Sequence, residues 1–318
     1  MRLRLSVPLR PAGSKHPHGP DHAQTNIIEK QLNIEKKLYT HSEIRLCAPS
    51  QSNIKLFLMG HPIFEKLAFV ASSRPSAIQA MEELVSRYGN VRPEEASAII
   101  PLGGDGFMLE TFRRYLPLVK EGLPVFGMNK GTIGFLMNEF STDSLIERLT
   151  NATITPVHPL SMKATAKNGV FEDIAFNEVS VFRQSQQAAH IQVSVDDKIR
   201  LKRLIADGVM LSTPVGSTAY NLSAHGPVIP LGADILALTP ISAFRPRRWR
   251  GALLSGHARV KFEVLDPMKR PVSASADNSE IQDLLSIEIW QDEDTTLTML
   301  FDEEHGLAEK ILQEQFAT

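Results

Sequence analysis

The 318-residue sequence has a single cysteine, Cys47, and no long apolar run. One cysteine excludes an intrachain disulfide and a cysteine-rich zinc or iron–sulfur site. No run approaches the roughly 18 apolar residues that indicate a membrane-spanning helix. The net charge is only −2, and neither G-x-x-x-x-G-K-[S/T] nor G-x-G-x-x-G occurs. We therefore expect a soluble, cytoplasmic, mixed α/β protein that does not bind polyanions generally and holds any phosphate without a P-loop.

The first segment differs in composition from the rest of the chain. Residues 8–20 contain four prolines and two glycines and show no hydrophobic period. Such a segment cannot bury enough apolar surface to offset the entropy lost on ordering. We predict that residues 1–58 are disordered or a non-native extension, with a faint similarity to an organellar transit peptide as the alternative. A chain that starts at Met59 is expected to fold and to stay active.

Strands and helices alternate from Leu67 onward. Buried strands are predicted at 67–72, 97–102 and 123–129, and helices at 75–88, 107–116 and 142–150. This alternation predicts a parallel sheet with crossover helices. We assign residues 59–155 to a Rossmann-like α/β domain.

The pattern changes near residue 155 to short alternating runs separated by turn residues. This pattern is typical of antiparallel sheets, and it predicts a β-rich, sandwich-like domain over 156–295. A last helix is predicted at 306–316. Residues 296–318 are expected to return as a strand and helix that pack on the first domain.

Gly103, Gly104, Asp105 and Gly106 stand between a predicted strand and a predicted helix. Ligands of open α/β sheets bind at the carboxyl ends of strands, and glycines let backbone amides approach a phosphate closely. The following helix adds the positive end of its dipole. A carboxylate among such amides suits a group that accepts a proton from a hydroxyl. The alternative is a tight turn with Asp105 as an N-cap.

Further segments accompany this turn: VFGMNKGTIGFL (125–136), FNEVSVFR (176–183), ADGVMLSTPVGSTAYNLSAHGPVI (206–229) and SASAD (273–277). With LGGDGFML (102–109) they resemble the NAD kinase family in order and spacing, over about four-fifths of the chain. The resemblance implies transfer of the γ-phosphoryl group of ATP to the 2′-hydroxyl of the adenosine ribose of NAD. The product is NADP, so the keywords implied are kinase, transferase, ATP-binding and NADP biosynthesis.

The resemblance also implies roles for individual residues. Asp105 is the implied base, and it acts mainly by orienting the hydroxyl, because an aspartate is a weak base at neutral pH. Asn177 and Glu178 hold the ribose and adenine of NAD, and Asp207 lies on the nicotinamide side. The implied nucleotide-binding loop consists of Thr218, Ala219, Tyr220, Asn221, Leu222 and Ser223. Asn129, with two nearby glycines, is interpreted as a wall of the pocket.

No cluster of carboxylates in the sequence suggests a dedicated metal site. A divalent cation, Mg²⁺, is expected to arrive with ATP. The expected partners are ATP and NAD, with no nucleic acid and no membrane, and the resemblance implies a homo-oligomer, a dimer or a tetramer.

Two alternative functions remain open at this point. A diacylglycerol-type lipid kinase or a sugar kinase could use the same Gly-Gly-Asp-Gly turn. A non-catalytic NAD(P)-binding regulator could keep the binding loop without the reaction.

Overall fold

Three parallel strands form the first sheet of the computed structural model, which describes residues 64–131 and 134–303. These strands are β1 (Leu67–Ala71), β2 (Ala98–Gly103) and β3 (Met128–Asn129), and β2 lies in the centre. The helices of this region are α1 (Pro75–Tyr88), α2 (Asp105–Arg114), α3 (Leu116–Lys120) and α4 (Leu145–Thr150). The parallel sheet predicted from the alternating pattern is confirmed. The predicted extension over 1–58 and the predicted helix at 306–316 lie outside the described residues.

Strand β2 is buried on both faces, as its continuous apolar run predicts. Ile99 packs on one face with Met108 and Phe112 of α2. Ile100, one residue later, packs on the opposite face in the cluster that contains Leu84 of α1. Successive side chains of a strand point to opposite sides, so α2 covers one face of β2 and α1 covers the other.

The third predicted strand is shorter than expected. The run 123–129 forms regular pairing only at Met128–Asn129, and Val125 joins the sheet through isolated bridges to Ile99 and Met299. The ladder is interrupted between Val125 and Met128, where the facing residue of β2 is Pro101, which has no N–H to contribute. Helix α2 also begins two residues before its predicted start, because Asp105 is already helical.

The β-rich part is a sandwich of two six-stranded sheets. Its strands are β5 (Leu160–Ala166), β6 (Gly169–Ala175), β7 (Glu178–Arg183), β8 (Ala189–Val195), β9 (Lys198–Ala206), β10 (Gly208–Ser212), β11 (Ile235–Ile241), β12 (Ala252–Ser255), β13 (Val260–Val264), β14 (Val272–Ala276), β15 (Ser279–Ile281) and β16 (Leu284–Gln291). One sheet has the order β12-β11-β10-β7-β14-β15, and the other has the order β6-β5-β16-β13-β8-β9. Strands of both sheets contribute to one buried apolar cluster. The β-rich region expected from the sequence is confirmed.

The chain returns to the first sheet after the sandwich. Strand β17 (Leu297–Phe301) pairs antiparallel with β4 (Thr153–Val157). Val125 donates its N–H to Thr298 O at 2.9 Å and accepts from Leu300 N at 2.9 Å, which ties β17 to the edge of the parallel sheet. Among the described residues, no helix combines the length and the apolar character needed to cross a membrane.

Candidate functional site

The Gly-Gly-Asp-Gly turn joins β2 to α2. Gly103 ends the strand, Gly104 is the N-cap of the helix, and Asp105 is its first helical residue. A Cβ on Gly103 would lie 2.8 Å from the Cβ of Phe107, so only glycine allows this close approach of strand and helix. Phe107 N and Met108 N donate to Gly104 O at 2.9 and 3.1 Å, so an anion at this helix start would meet the amides that precede Phe107.

Asp105 is not the N-cap that the alternative interpretation assigned to it, because Gly104 occupies that position and no side-chain capping bond is made. Its carboxylate instead accepts hydrogen bonds from Phe135 N and Leu136 N, each at 2.9 Å. These contacts connect the start of α2 to the loop that follows β3.

The loop after β3 is held by asparagines. Asn129 Oδ1 accepts from Gly131 N at 2.8 Å, so this side chain shapes the loop beside the glycine turn. Asn138 is fully buried, and its amide donates to Gly127 O and Leu300 O at 3.1 and 3.0 Å. The sequence analysis did not identify Asn138, since a single asparagine in an irregular segment carries no pattern.

Asn177 and Glu178 lie where the chain passes from β6 to β7. Burial, and then the negative charge of Asp277, raise the pKa of Glu178 from 4.5 to about 7. Within the described residues, the buried Oε2 atom of Glu178 has no hydrogen-bond partner. A buried acceptor without a partner is costly, and a ligand hydroxyl is the kind of group that would satisfy it.

The loop between β10 and β11 is fastened to the backbone of Asn177. Thr213 donates its N–H to Asn177 O at 2.9 Å and its hydroxyl to Phe176 O at 2.7 Å. A Cβ on Gly216 would lie 2.1 Å from the same Asn177 oxygen, so the loop reaches this position only with glycine. The glycine- and hydroxyl-rich sequence thus brings the predicted nucleotide loop against the Asn177-Glu178 pair.

Residues of this loop divide into exposed and buried ones. Tyr220 begins the short helix α5 (Tyr220–Ser223) and is 40% exposed, and burial, then Glu178 and Asp207, raise its pKa. Ser223 is also exposed, whereas Thr218, Ala219 and Leu222 are half-buried.

Asn221 differs, because its side chain is fully buried. Its amide donates to Ser217 O and Pro227 O and accepts from the Thr239 hydroxyl at 2.7 Å. In the structure, the Asn221 side chain therefore stabilises the conformation of the loop. Its predicted contact with a nucleotide stays a prediction.

Asp207 lies at the bend between β9 and β10, one residue before Gly208. Its carboxylate accepts from Arg183 Nε at 2.5 Å, and the two residues are also joined by a backbone hydrogen bond from Arg183 N at 2.9 Å. The side chain of Asp207 is 33% exposed. It is thus a fixed, partly accessible negative charge near Tyr220 rather than a simple turn residue.

Two residues that the sequence analysis did not assign link the parts of this site. Arg113, on α2, donates to Ile174 O at 2.6 Å and to Ala276 O at 2.8 Å. Asp277 accepts hydrogen bonds from the backbone of Phe176 and Asn177 at 2.8 and 2.9 Å. The only signal for Asp277 was its place in the SASAD segment, and Arg113 looked like an ordinary cation at a helix C-terminus.

Helix α2 packs against the sandwich beside the Asn177-Glu178 pair. The ring centroids of Phe112 and Phe176 are 5.2 Å apart, so the helix that starts at Asp105 packs directly on the strand connection that carries Asn177. Over residues 64–131 and 134–303, no three His, Cys, Asp or Glu side chains are grouped in a way that could hold a metal ion.

Comparisons with known proteins identify relatives of the whole described region. Residues 176–290 match the family model described as the ATP-NAD kinase C-terminal domain. The NAD kinase of Caulobacter vibrioides is 52% identical over 257 residues, which are 80% of this chain and 98% of that protein. The NAD kinase of Hyphomonas neptunium is 52% identical over 253 residues, 79% of this chain and 98% of that protein.

Solved structures share the fold at lower identity. Yeast NADH kinase complexed with NADH has a TM-score of 0.67 at 20% identity and covers 80% of this chain and 87% of its own. An NAD kinase from Archaeoglobus fulgidus in complex with ATP has a TM-score of 0.63 at 23% identity, and the match covers 78% of this chain and 98% of that chain. These likenesses show that the two-part architecture is shared.

Proposed function

This chain belongs to the NAD kinase family, and we propose that its reaction, the ATP-dependent phosphorylation of NAD, takes place between Asp105 at the start of α2 and the pair Asn177 and Glu178. The enzyme is accordingly a nucleotide-binding transferase of NADP biosynthesis. The observation that carries the proposal is the packing of α2, which starts with the Gly-Gly-Asp-Gly turn, against the Phe176-Asn177 connection.

The proposed task of Asp105 is to orient the 2′-hydroxyl of the adenosine ribose and to accept its proton late in the transfer. Phosphoryl transfer depends mainly on positioning and on neutralisation of charge, so a strong base is not required. The amide contacts from Phe135 and Leu136 fix the carboxylate in one orientation, and a fixed acceptor is what such positioning needs.

The proposed binding of NAD uses the pair Asn177 and Glu178. The unpartnered Oε2 atom of Glu178 suits a ribose hydroxyl as donor, and the exposed ring of Tyr220 suits stacking on a base. Thr218, Ala219, Leu222 and Ser223 would line the nucleotide on the same loop.

The donor is proposed to be the Mg²⁺ complex of ATP, with the metal supplied as part of the substrate. The glycine turn and the first amides of α2 offer the backbone donors that a triphosphate needs, in place of a P-loop. The metal would keep several waters, as Mg²⁺ does when it is bound mainly through phosphates.

The decisive experiment is incubation of the purified protein with ATP, Mg²⁺ and NAD, with mass detection of NADP. Diacylglycerol, offered in parallel, should not be phosphorylated.

Asp105→Asn should lower turnover at least about tenfold, while NAD still binds in calorimetry. The control is Asp143→Asn, which removes a carboxylate that is 78% exposed and should leave turnover unchanged. Unchanged turnover in Asp105→Asn would exclude the proposed role of this residue.

Three further features complete the proposal. The enzyme is proposed to act in the cytoplasm as a homo-oligomer, dimer or tetramer, which light scattering would test. Residues 306–316 are proposed to return to the α/β part, and deletion of residues 304–318 should then lower the melting temperature. No nucleic acid or membrane is proposed as a partner.

A further inference from the structure

Asp277 occupies an unusual position for an acidic residue. It follows β14 at the start of the turn to β15, with a left-handed φ of 48°, a conformation that aspartate tolerates better than most residues. Its side chain is only 2% exposed. A carboxylate this deeply buried needs hydrogen bonds or a compensating charge, and the surroundings of Asp277 provide both.

The carboxylate of Asp277 faces three successive backbone amides. It accepts from Phe176 N at 2.8 Å, from Asn177 N at 2.9 Å and from Glu178 N at 3.4 Å. In return, Asp277 N donates to Glu178 O at 3.2 Å. Three amides that converge on one anion fix the backbone of the connection, and the directions of the Asn177 and Glu178 side chains follow from it.

Arg113 extends this contact to the helix that carries Asp105. Its Nη2 atom lies 3.6 Å from Asp277 Oδ2 and also donates to Ile174 O and Ala276 O. Its Nη1 atom pairs with Asp173 at 2.8 Å. The planar guanidinium thus contacts the end of β6 and the end of β14 together, and a lysine could not make these contacts at once.

We propose that Asp277, together with the adjacent Arg113, is a positioning residue. It fixes the position of the Asn177-Glu178 pair relative to helix α2 for NAD binding and phosphoryl transfer. The inference rests on the proposed function of Asn177 and Glu178. Asp277 touches no reacting atom in this account, and it acts through the backbone of its neighbours.

The charge of Asp277 has a second, measurable effect on Glu178. The charged group that acts on the Glu178 carboxyl is Asp277 on the β14–β15 turn, which lies 3.6 Å from Arg113 Nη2. Glu178 and Asp207 in turn act on Tyr220 of α5. The negative charge of Asp277 adds to burial in raising the pKa of Glu178. If the ionised carboxyl binds the ribose, NAD affinity improves as the pH rises, and loss of the Asp277 charge moves this improvement to lower pH.

The test is the pH dependence of KM for NAD in Asp277→Asn, at saturating Mg²⁺ and ATP. We expect KM for NAD to rise at least about tenfold near neutral pH. The fall of KM with rising pH, which follows the ionisation of Glu178, should occur at lower pH than in the wild type. The matched control is Asp283→Asn, because Asp283 also has a left-handed φ, of 55°, but its side chain is 48% exposed. The control should keep the wild-type KM for NAD and the wild-type pH dependence of this KM.

Arg113→Lys tests the same inference if Asp277→Asn does not fold. This variant keeps the positive charge but loses the planar guanidinium, whose several N–H groups donate at once. KM for NAD should therefore rise about threefold or more. If Asp277→Asn or Arg113→Lys matches the Asp283→Asn control while the wild type makes NADP, the inference is overturned and the proposed function stands. If the wild type itself makes no NADP, the proposed function fails and the inference falls with it.

Discussion

Replacement of Glu178 by glutamine should stabilise the protein without nucleotide, and more so as the pH rises. The carboxyl is buried beside Asp277, and one of its oxygens has no hydrogen-bond partner among the described residues. Its pKa is raised from 4.5 to about 7, so the folded protein keeps a proton that the unfolded chain releases in this range. Stability therefore falls as the pH rises through that range.

The size of this effect follows from the shift in the pKa. A shift from 4.5 to about 7 corresponds to at most about 3 kcal/mol of stability lost above pH 8. Glutamine is neutral at every pH and avoids this loss. For a protein of this size, each kcal/mol of stability shifts the melting temperature by about 1.5 °C, so the melting temperature of Glu178→Gln should exceed that of the wild type by several degrees at pH 8.5.

The assay is thermal unfolding followed by circular dichroism at pH 5 and pH 8.5. The advantage of Glu178→Gln should be about 2 kcal/mol larger at the higher pH. Glu172→Gln serves as the control, because its side chain is 69% exposed and its removal should have no comparable pH dependence. An advantage of equal size at both pH values, or none, would refute the burial argument. The same variant should raise KM for NAD, since it lacks the anionic acceptor.

Two other changes test the binding loop. Gly216→Ala should raise KM for NAD about tenfold and lower the melting temperature, because a Cβ there would lie 2.1 Å from Asn177 O; Gly232→Ala, with open space around it, is the control, and equal behaviour of the two would contradict the close approach. Tyr220→Phe should keep near-wild-type NAD affinity, whereas Tyr220→Ala should lose about tenfold, as measured by calorimetry; equal losses in both variants would show that the hydroxyl and not the ring binds.

Local sequence patterns predicted much of the fold. Helix α1 spans Pro75–Tyr88, the predicted range, because proline marks its first turn and Gly89 its end. The alternating runs after residue 155 predicted the sandwich, since the period of two is set by burial of one face. The third strand was predicted too long, because the apolar run around Pro124 does not indicate which residues pair.

The candidate site was predictable where a motif is local and less so where it depends on distant contacts. The glycine turn was predicted from its glycines between a strand and a helix, and the loop at 213–223 from the resemblance to the NAD kinase family. Asp277 meets Asn177 across 100 residues of sequence, and Arg113 meets Ala276 across 163. Contacts of this range depend on how the sheets and α2 pack together, which no local pattern encodes.

The central claim is that Asp105 faces the adenosine ribose of NAD while Asn177 and Glu178 hold it. A crystal structure of the protein with NAD bound tests this most directly. The account predicts an oxygen of Asp105 within about 3.2 Å of the 2′-hydroxyl, and Glu178 Oε2 bonded to the same sugar. A ribose bound elsewhere, remote from the Asp105 carboxylate, would contradict it.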